Sequence, residues 1–155
     1  IDLNARSTAH RSHRLVPAIV ARGSGRVLST SSIAARQPGA FHAVYNASKA
    51  FAQSFAEALR NELKDTGVTV TALQPGPTDT DFFERAELED TRVGQGKKDD
   101  PADVAKAGFE AMLDGKDHVV ASSLKTKLMA ALSLVTPEPL KAETHRRMAE
   151  PGSGH

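Results

Sequence analysis

Residues 45–74, "YNASKAFAQSFAEALRNELKDTGVTVTALQ", decide the fold. The part from 45 to 64 is rich in Ala, Leu, Glu and Lys and holds neither Gly nor Pro, which predicts a helix. The pattern breaks at Asp65-Thr66-Gly67, where Gly67 suits a left-handed C-terminal cap. The β-branched run "VTVTALQ" (68–74) then reads as a strand halted by Pro75-Gly76. A helix feeding a strand through so short a turn is half of a βαβ unit, and the other half lies upstream. "RVLSTSS" (26–32) has the β-branched and small residues of a short buried strand.

The alternation continues in both directions. Residues 2–22 read as a helix ended by Gly23-Ser24-Gly25, with a basic first half and an apolar second half. "DPADVAKAGFEAMLDG" (100–115) carries helix punctuation, with Asp100 as N-cap, Pro101 at the first position and Gly115 just past the end. "HVVAS" (118–122) is a third short strand, and residues 123–149 read as two helices split by Pro137 and Pro139. Helix and strand in strict turn argue for an α/β fold with a parallel sheet of right-handed βαβ units. No linker or internal repeat divides residues 1–155, so a single domain is expected.

Composition excludes several function classes. Twenty Lys and Arg against nineteen Asp and Glu leave a net charge of +1, with no pull toward nucleic acid or an anionic membrane. The absence of cysteine removes disulfides, thiol nucleophiles and thiolate metal sites, and fits a reducing cytoplasm. No apolar run approaches the ~20 residues of a membrane helix. His10 and His13 stand three apart without a third ligand nearby, so no metal site is expected. The basic stretch "RSTAHRSHR" (6–14) reads as a solvated or oligomer-facing helix, and Ser122-x-x-Lys125 as a chance match to a hydrolase pattern.

Chemistry gathers where the strands end. In open parallel sheets ligands bind beyond the carboxyl ends of the strands. Ser31-Ser32 close one strand and "PGPTDT" (75–80) follows the other. The helix crossing between them carries the chain's only tyrosine, Tyr45, with Lys49 four residues on and therefore on the same face. A phenol has a pKa of about 10, and a nearby ammonium is expected to lower it into a usable range for proton transfer. Ser32 can donate a hydrogen bond to a carbonyl oxygen that gains charge. These groups suit carbonyl/alcohol redox chemistry, but none supplies a hydride, so a nicotinamide cofactor is required.

"YNASK", with Ser32 thirteen residues before Tyr45 at the end of "GRVLSTSS", resembles the Tyr-x-x-x-Lys and serine motifs of the short-chain dehydrogenase/reductase family. "LNARS" (3–7) is similar to the segment whose asparagine, here Asn4, holds a water for proton relay. "QPGPTDTDFF" (74–83) is similar to the motif in which Pro75, Gly76, Thr78 and Thr80 meet the nicotinamide end. The resemblance runs from about residue 2 to at least residue 122. It implies a partial Rossmann-like doubly wound parallel sheet of about three strands, an NAD(P)-dependent oxidoreductase acting on a small-molecule carbonyl or alcohol, and a homo-oligomer. It also implies that Tyr45 and Lys49 contact the cofactor, NAD or NADP. Residues 79–99 take the place of the substrate lid.

The family's Gly-rich βα turn has no match here, because Gly23-Ser24-Gly25 precedes a strand instead of following one. The chain, which starts at Ile1, is expected to be the C-terminal catalytic portion, short of on the order of 100 residues. Its strand 26–32 would then have one bare edge, a template for association. Two further functions compete: a serine-dependent hydrolase using the same Ser32, Tyr45 and Lys49 cluster, and a non-catalytic fragment. The stripe Phe51, Phe55 and Leu59 is expected to pack on the sheet or on a second copy.

Overall fold

The computed structural model describes residues 1–133 and 135–155, with the backbone alone for Lys125 and Met129. Three strands, β1 (Gly25–Thr30), β2 (Val68–Pro75) and β3 (His118–Ala121), form one parallel sheet in the order β1-β2-β3. Gly25 pairs with Val68 and Thr30 with Leu73, while Ala72 pairs with His118 and Pro75 with Ala121. All three carboxyl ends therefore reach one edge of the sheet. β1 begins and ends earlier than its sequence pattern suggests, because Ser32 leaves the ladder to start a new turn.

The helices cover both faces, as a doubly wound sheet requires. A π-helical turn (Asp2–Arg6) runs into α1 (Ser7–Ala21), and α2 (Ala43–Glu62) crosses from β1 to β2. Val16 of α1, Ala56 of α2 and Leu63 just past its end pack on Val68, Val70 and Ala72, with Ile19, Val20, Val27 and Leu59 around them. On the opposite face α5 (Pro101–Leu113) sets Val104 on Leu73 and Ala121, flanked by Leu28, Ala107 and Val119. Full burial of each large aliphatic side chain contributes ~1.5–3 kcal/mol, so β2, apolar toward both layers, holds the sheet together.

Short helices α3 (Phe82–Arg85) and α4 (Arg92–Gln95) lie between β2 and α5, and α6 (Leu124–Leu132) and α7 (Glu138–Ala149) follow β3. Asp100 caps α5 as its position predicts, accepting from the Ala102 amide at 2.7 Å. Only Pro137 stands outside the last helix, since Pro139 fits within its first turn, where no N–H is needed.

Gly67 is not the left-handed cap that the sequence suggests. That conformation falls to Gly23, at φ 76° after α1. Gly67 is required for a different reason: a Cβ there would sit 1.8 Å from the Gly23 carbonyl oxygen. The two loops cross at this point, and the Gly25 amide donates to the Gly67 carbonyl at 3.1 Å. Among the described residues β1 pairs with β2 alone, so its other edge is open.

Candidate active site

The last ladder bond of β1 is made by the Ser31 amide, which donates to Leu73 at 2.8 Å. Ser32 then turns away in an extended conformation and caps a 3-10 turn (Ile33–Arg36), its Oγ accepting from the Ala34 amide at 3.1 Å. Both serines are buried. Ser32 Oγ also points at the Pro75 carbonyl at the end of β2, 3.5 Å away. A bond that long is at the weak limit, and the same hydroxyl draws the pKa of the Tyr45 phenol downward.

Tyr45 and Lys49 share a face of α2, with Lys49 Nζ 5.9 Å from the centre of the tyrosine ring. The ammonium donates to the Thr30 carbonyl at 3.2 Å, and Ser31 Oγ donates to the Lys49 carbonyl at 3.1 Å. The end of β1 and the second turn of α2 are thereby stitched together, and Ser32, Tyr45 and Lys49 meet at the sheet's carboxyl edge.

Burial dominates the electrostatics of this cluster. It pushes the Tyr45 phenol above its ordinary value, and the Ser32 hydroxyl only partly offsets that. Burial also pushes the Lys49 ammonium down. The expectation that Lys49 would lower the phenol is corrected here: desolvation wins over a lysine already engaged with a backbone carbonyl.

Asn4 lies in the π-helical turn, a feature often found where a helix serves a site. Its amide donates to Ser48 Oγ at 3.1 Å, and Ser48 donates to the Tyr45 carbonyl at 2.7 Å. Beyond β2, the Gly76 amide donates to the Ala121 carbonyl at 3.2 Å, and Thr78 Oγ1 donates to the Gly76 carbonyl at 2.9 Å. Thr80 Oγ1 accepts from the Phe82 amide at 3.4 Å. Phe82 sets its ring 5.1 Å from that of Tyr45, so the segment carrying Pro75, Gly76, Thr78 and Thr80 ends against the phenol.

Elsewhere, His10 and His13 are both exposed on α1, and no group of three metal-ligating side chains occurs among the described residues. Ser122 is engaged with Asp99, while the side chain of Lys125 lies outside the described residues. No described helix is long and apolar enough to cross a membrane.

Residues 1–91 match the family model described as short chain dehydrogenase. The chain belongs to the short-chain dehydrogenase family. An uncharacterized oxidoreductase of Staphylococcus saprophyticus is 34% identical over 112 residues, covering 72% of this chain and 46% of that protein. A ketoacyl reductase, HetN, of a Nostoc species is 33% identical over 131 residues, covering 79% of this chain and 44% of the relative. A short-chain dehydrogenase of Burkholderia cenocepacia in complex with NADP superposes with a TM-score of 0.71 at 26% identity, over 94% of this chain and 57% of its own. A second, from Sphingobium yanoikuyae in complex with NADPH, gives a TM-score of 0.72 at 21% identity, over 84% of this chain and 50% of its own, and speaks for the fold alone. The chain thus spans about half the length of the curated relatives it matches.

Two pairs in this chain escape a reading of its sequence. The Asp99 carboxylate accepts a hydrogen bond from Ser122 Oγ, and the segment 77–99 is closed at its base because the Asp79 amide donates to the Asp99 carbonyl and the Asp99 amide to that of Pro77. Gln74, completely buried, accepts from Arg36 Nε at 2.9 Å and ties the 3-10 turn after Ser32 to the end of β2. Both pairs join residues far apart in sequence, so no local pattern announces them. Ser48 had a signal, since it follows Tyr45 by one helical turn.

Proposed function

We propose that the chain is the catalytic part of an NAD(P)-dependent oxidoreductase that interconverts a carbonyl and a secondary alcohol, as the C-terminal portion of a Rossmann-type domain. The reading rests on one observation: the Ser32 hydroxyl, the Tyr45 phenol and the Lys49 ammonium gather at the carboxyl edge of a parallel sheet. Tyr45 is the general acid and base. Its raised pKa keeps the phenol protonated at neutral pH, the form that donates to a carbonyl oxygen. Ser32 has a single hydrogen, and its contact with Pro75 is a weak one at 3.5 Å, so it can turn toward the same oxygen and stabilise its developing charge.

The donor set suits the nicotinamide end of a dinucleotide. Lys49 spends one of three hydrogens on Thr30, leaving others for ribose hydroxyls, and Thr80 accepts from Phe82 with its own hydrogen free among the described residues. Pro75, Gly76 and Thr78 fix the backbone at the same edge. When bound, the nicotinamide group supplies or accepts the hydride. With its amide nitrogen on Ser48, Asn4 offers Oδ1 to a water in the proton relay. The reductase name of one relative and the NADP held by the Burkholderia enzyme support this assignment.

We place the protein in the cytoplasm, as a homo-oligomer without nucleic-acid or membrane partners. Phe51 and Phe55 stack at 5.8 Å on the outer face of α2, Phe51 being 41% exposed, and the edge of β1 is open. Both invite a second copy. Titration of the chain with NADH and NADPH tests the cofactor reading, and saturable binding of either is expected. No binding up to millimolar concentration would favour a non-catalytic fragment. Aryl-ester cleavage lost in Ser32→Ala would instead point to a hydrolase.

A further inference from the structure

The helix that carries Tyr45 is entered through an unfavourable turn. Phe41, two residues before α2, has φ 63°, a left-handed conformation that a bulky side chain avoids. Such a residue persists only when its surroundings hold it. The surroundings here are α7, more than 95 residues away in sequence. His145 Nδ1 faces the Ala40 carbonyl at 3.0 Å and, as that oxygen can only accept, carries the hydrogen. The His145 ring meets His42 edge-on with centroids 5.1 Å apart, and Arg146 lies over the Phe41 ring at 5.2 Å. One turn earlier in α7, the buried Lys141 reaches the Arg36 carbonyl at 3.5 Å while paired with Glu138. Residues 40, 41 and 42 are each gripped by a different contact from the same helix.

We infer that α7 is a clamp that holds the strained turn at 40–42 and thereby positions Tyr45, with His145 and Phe41 as positioning residues. The backbone passes the constraint on directly: the His42 amide donates to Gly39 at 3.0 Å and the Asn46 amide to His42 at 2.9 Å, so residue 42 starts the hydrogen-bond ladder on which Tyr45 sits. The tail after α7 also grips the segment that carries Phe82, because the Gly154 amide donates to the Asp90 carbonyl and the Arg92 amide to Ser153 Oγ. Tyr45 is thus braced from both sides by the C-terminal segment. Its importance for turnover rests on the function proposed above, but its geometry does not.

Tyr45 is the only tyrosine and there is no tryptophan, so ultraviolet absorbance titrates this one phenol without interference. In His145→Ala the midpoint should fall toward the ordinary tyrosine value as the phenol loosens from its buried position. Exchange at the His42 and Asn46 amides should rise roughly 5- to 30-fold, the ratio that a left-handed penalty represents. His145→Asn, whose amide reproduces the donor, should restore both. Phe41→Gly in the His145→Ala background should also restore both, because glycine holds the turn without help. Should His145→Ala fail to fold, Arg146→Ala is read in its place, again with and without Phe41→Gly. An unchanged midpoint and unchanged exchange, or a loss that Phe41→Gly deepens, would overturn the clamp. Restored titration in a protein without oxidoreductase activity would leave the clamp standing and remove only the proposed function.

Discussion

Replacing Gly76 by alanine should dislodge the loop that faces the site, and the cost can be worked from neighbouring atoms. A Cβ at residue 76 would lie 2.2 Å from Ser122 Oγ, 2.8 Å from Ser122 Cβ and 3.3 Å from Asp99 Oδ2. The hydroxyl can rotate away, but the Ser122 Cβ cannot follow without moving β3. Overpacking of this kind costs ~1–3 kcal/mol. Rotation also breaks the Ser122 bond to the Asp99 carboxylate, and a bond to a charged group contributes ~1.5–3 kcal/mol. The two costs are alternatives in part, so ~3 kcal/mol is expected, or a melting point lower by ~9 °C at ~3 °C per kcal/mol. Gly76 does not need a left-handed conformation, so no backbone penalty confuses the result. Thermal unfolding followed by circular dichroism measures it, and Ser122→Gly in the same chain should return about half the loss by removing both obstructing atoms. A Gly76→Ala protein that melts within 2 °C of wild type would refute the packing argument.

Other outcomes follow from the same contacts. Arg36→Ala leaves the carbonyl oxygen of the fully buried Gln74 without its donor and should cost ~1–3 kcal/mol in urea unfolding; Gln74→Leu added to it should cost less than the sum of the single changes. Ser32→Ala should raise the titration midpoint of Tyr45, since the hydroxyl is what draws it down, and an unchanged midpoint would separate the two residues. His42 and His145 are both pushed below the ordinary histidine value by burial, His42 further by facing His145, while the Ala40 carbonyl partly opposes this at His145. The folded protein therefore resists protons that the unfolded chain accepts, so stability is full above pH ~6.5 and falls as pH drops from there toward the lowered folded values. Urea midpoints at several pH values between 7.5 and 5 should show this decline, and His145→Asn should flatten it.

The parallel sheet and its helices are legible in the sequence because strand and helix patterns alternate without interruption and the turns are marked by glycine and proline. The meeting of Ser32, Tyr45 and Lys49 was legible too, since helical spacing pairs the last two and the crossover brings both to the strand end. Depth is what sequence cannot express. The phenol was expected to be lowered by its lysine, and burial reverses the sign. Gly67 was expected to turn left-handed, but a crossing loop accounts for it. The pairs Arg36 with Gln74, Asp99 with Ser122 and Ala40 with His145 join segments 23 to 105 residues apart. Each depends on how the finished layers stack, and none has a local signature.

Proton transfer by Tyr45 is the claim on which the functional reading stands, and Tyr45→Phe isolates it by removing one oxygen atom from a ring that otherwise keeps its place beside Phe82. In the complete enzyme, carbonyl-dependent oxidation of NADPH or NADH, followed by the loss of reduced-cofactor absorbance, should fall by a factor on the order of 100–10,000 while circular dichroism stays close to wild type. Turnover within tenfold of wild type would show that another group moves the proton.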